Sequence, residues 1–326
     1  MSKEFENLGH DRMFKNLLEL FLPDYLNSFY PGFYQEIDWN KPIKLLTETT
    51  DHSRVNIKAN EPRYVDVLFE VYLNGEDIAT LLHFENQSYA QTIFPRRVYE
   101  YNCLIRSNHP NQSVYSFTIC FGTYPHTGER NKYEYNTVNG LQKNVFYFNE
   151  INLKNIHWQE PSLNNNPITW ALAPLMKKNR DEENYDIMVS CLQKVVESYY
   201  TIKTDKACRI TLFLDYYFQP EDSEIEKAIL EIKDTIKGRD VEIMNTVVAT
   251  PLRQGSQLRA KHTMLKTAVQ AKFYGEEPIP AETLNIIESI SDNSKPENLL
   301  FELMQINDND TNKKDKLNTC LSKYTI

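Results

Sequence analysis

The sequence predicts an α/β fold, with strands and helices mixed in its first half and helices dominating its second. Three observations carry this reading. Two neighbouring runs, residues 64–73 and 78–85, are rich in Val, Phe, Tyr and Leu and are separated by Asn74-Gly75, the pattern of two strands joined by a turn. Segments with helical spacing of apolar residues flank these runs on both sides. From about Ile168 onward, nearly every segment suits a helix.

The first helix is expected over residues 11–22, where Met13, Phe14, Leu17, Leu18, Phe21 and Leu22 form a stripe and Pro23 stops it. Residues 43–46 suit a short strand. The two strands of the first paragraph follow, then a helix after Ser88 and Pro95 that runs to about Ser107, then a strand over 114–121. The resulting order is helix, strand, strand, strand, helix, strand, with a further strand expected at 144–149. The Asn-rich segment 164–167 is the candidate linker. It divides the chain into a first domain, residues 1–163, and a helical domain, residues 167–304, with helices expected over 168–178, 185–200, 206–218, 223–236, 254–273, 281–289 and 296–304. Residues 305–326 are expected to form a flexible tail.

Composition narrows the functional classes. Of the 326 residues, 41% are hydrophobic and 12% aromatic, which excludes a disordered chain. The net charge of −9 excludes a polycationic coat for nucleic acid but says nothing about a local basic groove. No run of apolar residues is long enough for a membrane helix, and MSKEFENLGHDRMF lacks the pattern of an export signal, so a cytoplasmic protein with no membrane partner is expected. The five cysteines are widely spaced with no C-x-x-C pair, so neither a disulfide framework nor a cysteine zinc site is indicated. The seven histidines form no metal-spaced pair, and Gly-Lys-Ser/Thr, Gly-x-Gly-x-x-Gly and G-x-S-x-G motifs are absent.

The two strands carry the chemistry. With a period of two, Val65, Val67, Phe69, Val71 and Leu73 share a core-facing side, and Asp66, Leu68, Glu70 and Tyr72 take the other. In the next strand Leu82 and Phe84 oppose Leu81, His83, Glu85 and Gln87. A four-residue connection pairs Leu73 with Ile78 and hence Asp66 with Glu85, whereas a two-residue turn leaves Asp66 diagonal to Glu85. Either register keeps both carboxylates on one side of the sheet. Adjacent carboxylates away from water repel unless a cation lies between them, and Mg²⁺ takes one or two carboxylates plus waters and phosphate oxygens. The plain alternative is that Asp66 and Glu85 are exposed strand residues paired with Arg63 or Arg97. His83, on the Glu85 face, reads as a hydrogen-bonding strand residue.

The segments His10-Asp11-x-x-Phe14-Lys15, Val65-Asp66-Val67-Leu68, His83-Phe84-Glu85-Asn86-Gln87-Ser88 and Arg96-Arg97-x-Tyr99-x-Tyr101 resemble, in this order, the PD-(D/E)XK nuclease superfamily. Within it they are similar to the recombination-promoting nuclease and putative transposase family, over about residues 10–122. The resemblance implies an α-β-β-β-α-β core with a mixed sheet flanked by helices, and a Mg²⁺- or Mn²⁺-dependent DNA endonuclease, promoting recombination or transposition. It implies that Asp66 and Glu85 bind the metal and that Gln87 completes the catalytic set where the superfamily pattern usually has Lys.

Around this centre several residues have two readings. Asp11 either reaches the metal or stabilises the start of its helix. Lys15 either contacts a phosphate or pairs with Asp11. Arg97 and Tyr101, one helical turn apart, either hold a phosphate or metal ligand or, for Tyr101, simply pack. Between Ile243 and Gly275 lie Arg253, Arg259, Lys261, Lys266 and Lys272 and no acid. Arg259 and Lys266 share a face that, with Arg96 and Arg97, either tracks DNA phosphates or is solvated. A homodimer formed through the helical half is expected, because cutting two strands takes two sites or one that is repositioned. The rival reading is an inactive nuclease fold acting as a regulatory or assembly module through that half.

Overall fold

A computed structural model describes residues 5–46, 67–88, 92–122, 131–136, 143–163, 165–290, 295–306 and 312–324. The fold is α/β, with a mixed five-stranded sheet in the first part and helices in the second. Two compact units result. One spans Phe14–Arg180; the other comprises Asp181–Ile326 together with the chain before Phe14. No helix among the described residues is long and apolar enough to cross a membrane.

In the first unit the strands β1 (Lys44–Leu45), β2 (Val67–Val71), β3 (Thr80–Gln87), β4 (Val114–Cys120) and β7 (Asn149–Asn152) form the sheet in the order β1-β2-β3-β4-β7. β1, β2 and β3 are antiparallel; β3, β4 and β7 are parallel. The β2–β3 register pairs Val67 with Phe84 and Leu68 with His83, the register of a four-residue connection. At the tip, Glu76 N–H bonds Leu73 O at 3.1 Å and Gly75 has φ +80, a conformation that suits glycine.

Helix α1 (Phe5–Phe29) is two helical segments that meet at a kink at Phe21, two residues before Pro23, close to where the first helix is expected to end. Its buried stripe continues past the proline to Tyr25 and Leu26, and Phe21 departs from helical geometry to accommodate the ring (φ −119, ψ 17). With α2 (Pro31–Glu36) it covers one sheet face through an aromatic cluster: Tyr25 lies edge-on to Phe84 at 5.7 Å, Phe84 stacks on Phe117 at 5.1 Å, and Tyr30 and Phe33 close on Phe117.

The opposite face is buried as well. Helix α3 (Phe94–Asn108), with Pro95 in its first turn, crosses between the parallel strands β3 and β4 and seats Tyr101 and Ile105 on Leu68 and Leu81. Its successive turns follow β3. Arg97 lies beside Glu85 and Gln87, Tyr101 meets His83, and Ile105 meets Leu81.

The strand expected at 144–149 is two strands. β6 (Lys143–Tyr147) pairs with β5 (Lys132–Asn136) as a separate ribbon, and after the buried Phe148 the chain joins the main sheet as β7. The Asn-rich segment is not where the units divide. Asn166 caps α4 (Pro167–Leu172) and its amide donates to Asp24 O at 3.1 Å, which ties it into the first unit.

The second unit is helical: α5 (Asn184–Glu197), α6 (Tyr199–Phe218), α7 (Asp222–Thr235), α8 (Arg239–Met244), α9 (Thr250–Val269), α10 (Ala281–Ser289), α11 (Lys295–Met304) and α12 (Lys313–Ser322). The expected flexible tail carries α12, whose Leu317 and Leu321 are buried against Leu265, Phe273, Leu299 and Leu303. Between α8 and α9, residues Asn245–Ala249 form a π turn ahead of Pro251. Proline offers no N–H to the Val247 carbonyl four residues back, and Thr211 Oγ1 of α6 donates to that oxygen instead, at 2.7 Å.

Candidate active site

Glu85 and Gln87 stand at the C-terminal end of β3, the end where ligands gather in parallel sheets, and both are buried, with Glu85 only 1% exposed. Burial of an acid demands partners. Glu85 Oε1 lies 3.0 Å from His83 Nε2, and Oε2 lies 3.5 Å from Arg97 Nη2. The same Arg97 nitrogen donates to Gln87 Oε1 at 3.0 Å, while its guanidinium stacks over the Phe94 ring at 5.1 Å. The reading of Glu85 as an exposed strand residue is therefore corrected, because α3 covers this face. The pairing with Arg97 is present.

His83 is fully buried, and burial together with the positive charge of Arg97 pushes its pKa from 6.5 down to about 3. The imidazole is neutral, so its contact with Glu85 is a hydrogen bond rather than an ion pair. Its other nitrogen, Nδ1, lies 3.1 Å from Ser116 Oγ on the paired strand, and Asn102 Nδ2 of α3 donates to that oxygen at 3.0 Å. Tyr101 meets the imidazole edge-on at 5.9 Å.

Of the other expected site residues, some lie outside the described residues and others have partners of their own. Asp66 lies outside the described residues. Asp11 belongs to α1 but groups with the second unit, and its side chain is outside what is described. Lys15 is half-buried on α1 and makes no hydrogen bond or ion pair among the described residues. Arg96 points outward and pairs with Glu100 at 2.7 Å, one turn along. In the second unit the basic run meets acids from other helices. Arg253 forks onto Glu226 with two bonds of 2.7 Å, Arg259 binds Asp215 and the Pro220 carbonyl, and Lys266 binds Glu288. Arg259 and Lys266 are thus engaged within the fold. Ser116 and Asn102 are members of the site that sequence spacing did not point to.

A hard divalent cation takes carboxylate and carbonyl oxygens, and a ligating carboxylate is commonly fixed by a hydrogen bond from behind. Glu85, held by His83, fits that chemistry. Among the described residues no three His, Cys, Asp or Glu side chains come together, so Glu85 supplies one acid of such a site. Arg97 stands beside the remaining oxygen, and a cation there competes with it. No family model, no curated protein and no solved structure matches this chain.

Proposed function

We propose that this protein is a metal-dependent DNA endonuclease of the PD-(D/E)XK kind. The observation that carries the reading is the buried carboxylate of Glu85 with Gln87 two residues on, at the carboxyl end of a central strand. The α-β-β-β-α-β order of elements and the four ordered segments of the sequence support it.

The sequence pattern puts Asp66 and Glu85 on one side of the sheet, so the two would hold Mg²⁺ or Mn²⁺. When bound, the metal supplies charge that polarises a phosphoryl oxygen and acidifies an attacking water. The chain's own residues do the rest. Glu85 is oriented by His83, the Gln87 amide nitrogen is a donor for water or phosphate, and Arg97 is near enough to exchange the carboxylate for a phosphate oxygen. Water oxygen bonds to phosphorus, the ester P–O bond breaks, and the departing oxygen leaves as a hydroxyl after gaining a proton. DNA is then the substrate, and a homodimer through the helical unit is the assembly that would cut both strands.

A second reading is favoured by Arg97. A guanidinium already balancing Glu85 is what an inactive fold serving as an assembly module would keep. Nicking of supercoiled plasmid separates the two. Cleavage is expected with Mg²⁺ or Mn²⁺ and none with EDTA. Glu85→Gln, which leaves an oxygen for His83 but removes the charge, should abolish it, as should Asp66→Asn. Full-rate cleavage by folded Glu85→Gln, or a wild-type protein that neither cleaves nor binds divalent metal, sinks the nuclease reading.

A further inference from the structure

A chain of buried polar side chains from three elements ends on Glu85: Asn102 of α3, Ser116 of β4, and His83 of β3. Its hydrogens can be placed by elimination. The amide nitrogen of Asn102 can only donate, so Ser116 Oγ accepts from it, and its own proton goes to His83 Nδ1 when the far side of the neutral ring must donate to an ionised Glu85. Nδ1 is then the acceptor, the ring proton sits on Nε2, and Nε2–H donates to Glu85 Oε1.

Reversing the chain fails. With Glu85 ionised as a metal ligand, an Nδ1–H ring would face its bare Nε2 lone pair to a carboxylate oxygen at 3.0 Å, two acceptors with no proton between them. The backbone reinforces the arrangement, because His83 and Ser116 are register partners of the parallel pair. Tyr101, edge-on to the imidazole with the rings at 87°, resists rotation of the ring.

We propose that His83 is a positioning residue for Glu85: locked as the Nε2–H tautomer by Ser116 and Asn102, it ties down one carboxylate oxygen and so fixes the orientation of the other, which stands beside Arg97. The direction of the relay and its functional consequence rest on the nuclease reading above, in which Glu85 is an ionised metal ligand, whereas the contacts are a property of the fold and the ring's protonation can be measured without that reading. Conserving the donor should conserve the function. His83→Gln carries an amide N–H of similar reach, and His83→Leu fills the volume without it.

Two measurements on the full chain decide the matter. The first is nitrogen NMR of the histidine rings at neutral pH, with His83 assigned from the signal that His83→Gln removes. The ring should carry its proton on Nε2 alone in the wild type, and Ser116→Ala should mix in the Nδ1–H form. The second is Mg²⁺-dependent nicking. His83→Leu should lower kcat roughly 10–100-fold, the usual cost of losing a partner that orients a ligand, with KM for the plasmid unchanged, and His83→Gln should restore most of it. If His83→Leu does not fold, Ser116→Ala carries the same expectation in smaller measure.

A ring protonated on Nδ1 in the wild type overturns the relay. Wild-type kcat in folded His83→Leu overturns the positioning role. If the wild-type chain cleaves nothing, the nuclease reading falls, and the tautomer alone then upholds or overturns the relay.

Discussion

Gln87 stands where the nuclease resemblance calls for lysine, and its side-chain oxygen is already taken by Arg97 at 3.0 Å. A lysine at this buried position would set an ammonium against the guanidinium, and like charges repel strongly where water is scarce. Glu85 offsets one positive charge, not two. Gln87→Lys is therefore expected to cost about 1–3 kcal/mol of stability, and adding Arg97→Gln to recover most of it. A double-mutant cycle in denaturant melts measures the coupling, and strictly additive effects would show that the two side chains do not share this site. Glu85 and Gln87 were legible in the sequence because a two-residue period assigns them a common strand face. The relay behind them was not. His83 and Ser116 are 33 residues apart, Ser116 and Asn102 are 14 apart, and only the packing of α3 on the sheet brings the three together.

At the scale of elements, β2, β3, α3 and β4 follow the sequence closely, since their apolar periodicity is uninterrupted and Pro95 and Asn74-Gly75 punctuate it. Where the reading departed from the structure, tertiary contacts overrode a local signal. The helix breaks at Phe21, just ahead of Pro23, but a second helical segment follows because the buried stripe continues beyond the proline, and Pro251 sits in a continuous helical stretch because Thr211 takes up the carbonyl that proline abandons. The charged stretch near the C-terminus hides two leucines that α12 buries. Gly255 is a comparable case on α9. A Cβ there would run into the Asp215 carboxylate of α6, which is buried and held by Arg259. In an ordinary helix Gly→Ala stabilises by up to about 1 kcal/mol. Here the crowding should dominate, and Gly255→Ala is expected to destabilise by about 1–3 kcal/mol, seen as a lower thermal midpoint. An unchanged or higher midpoint would mean that α6 and α9 are not this close.

At the scale of the whole molecule, the two units answer to different groups. In the helical unit the basic run that stood out in a chain of net charge −9 is met by Glu226, Asp215 and Glu288, acids remote in sequence, which is why sequence alone left its role open. The Asp215 pair is poorly balanced. One oxygen binds Arg259, the other is buried with no hydrogen-bond partner among the described residues, and burial outweighs the guanidinium, raising the carboxyl from 3.8 to about 6. The native state therefore binds this proton more tightly than the unfolded chain. The associated stability is fully present below about pH 4 and is lost as pH rises through about 6. At about 1.4 kcal/mol per pKa unit, the change is on the order of 3 kcal/mol. Hydrogen exchange, corrected for intrinsic rates and compared at pH 4.5 and pH 7 (about these values suffice), should show protection of α6 and α9 falling with rising pH. Asp215→Asn, neutral at both, should flatten that difference without altering protection of β3 and β4. The same pH difference in α6 and α9 after the substitution would assign it to another group.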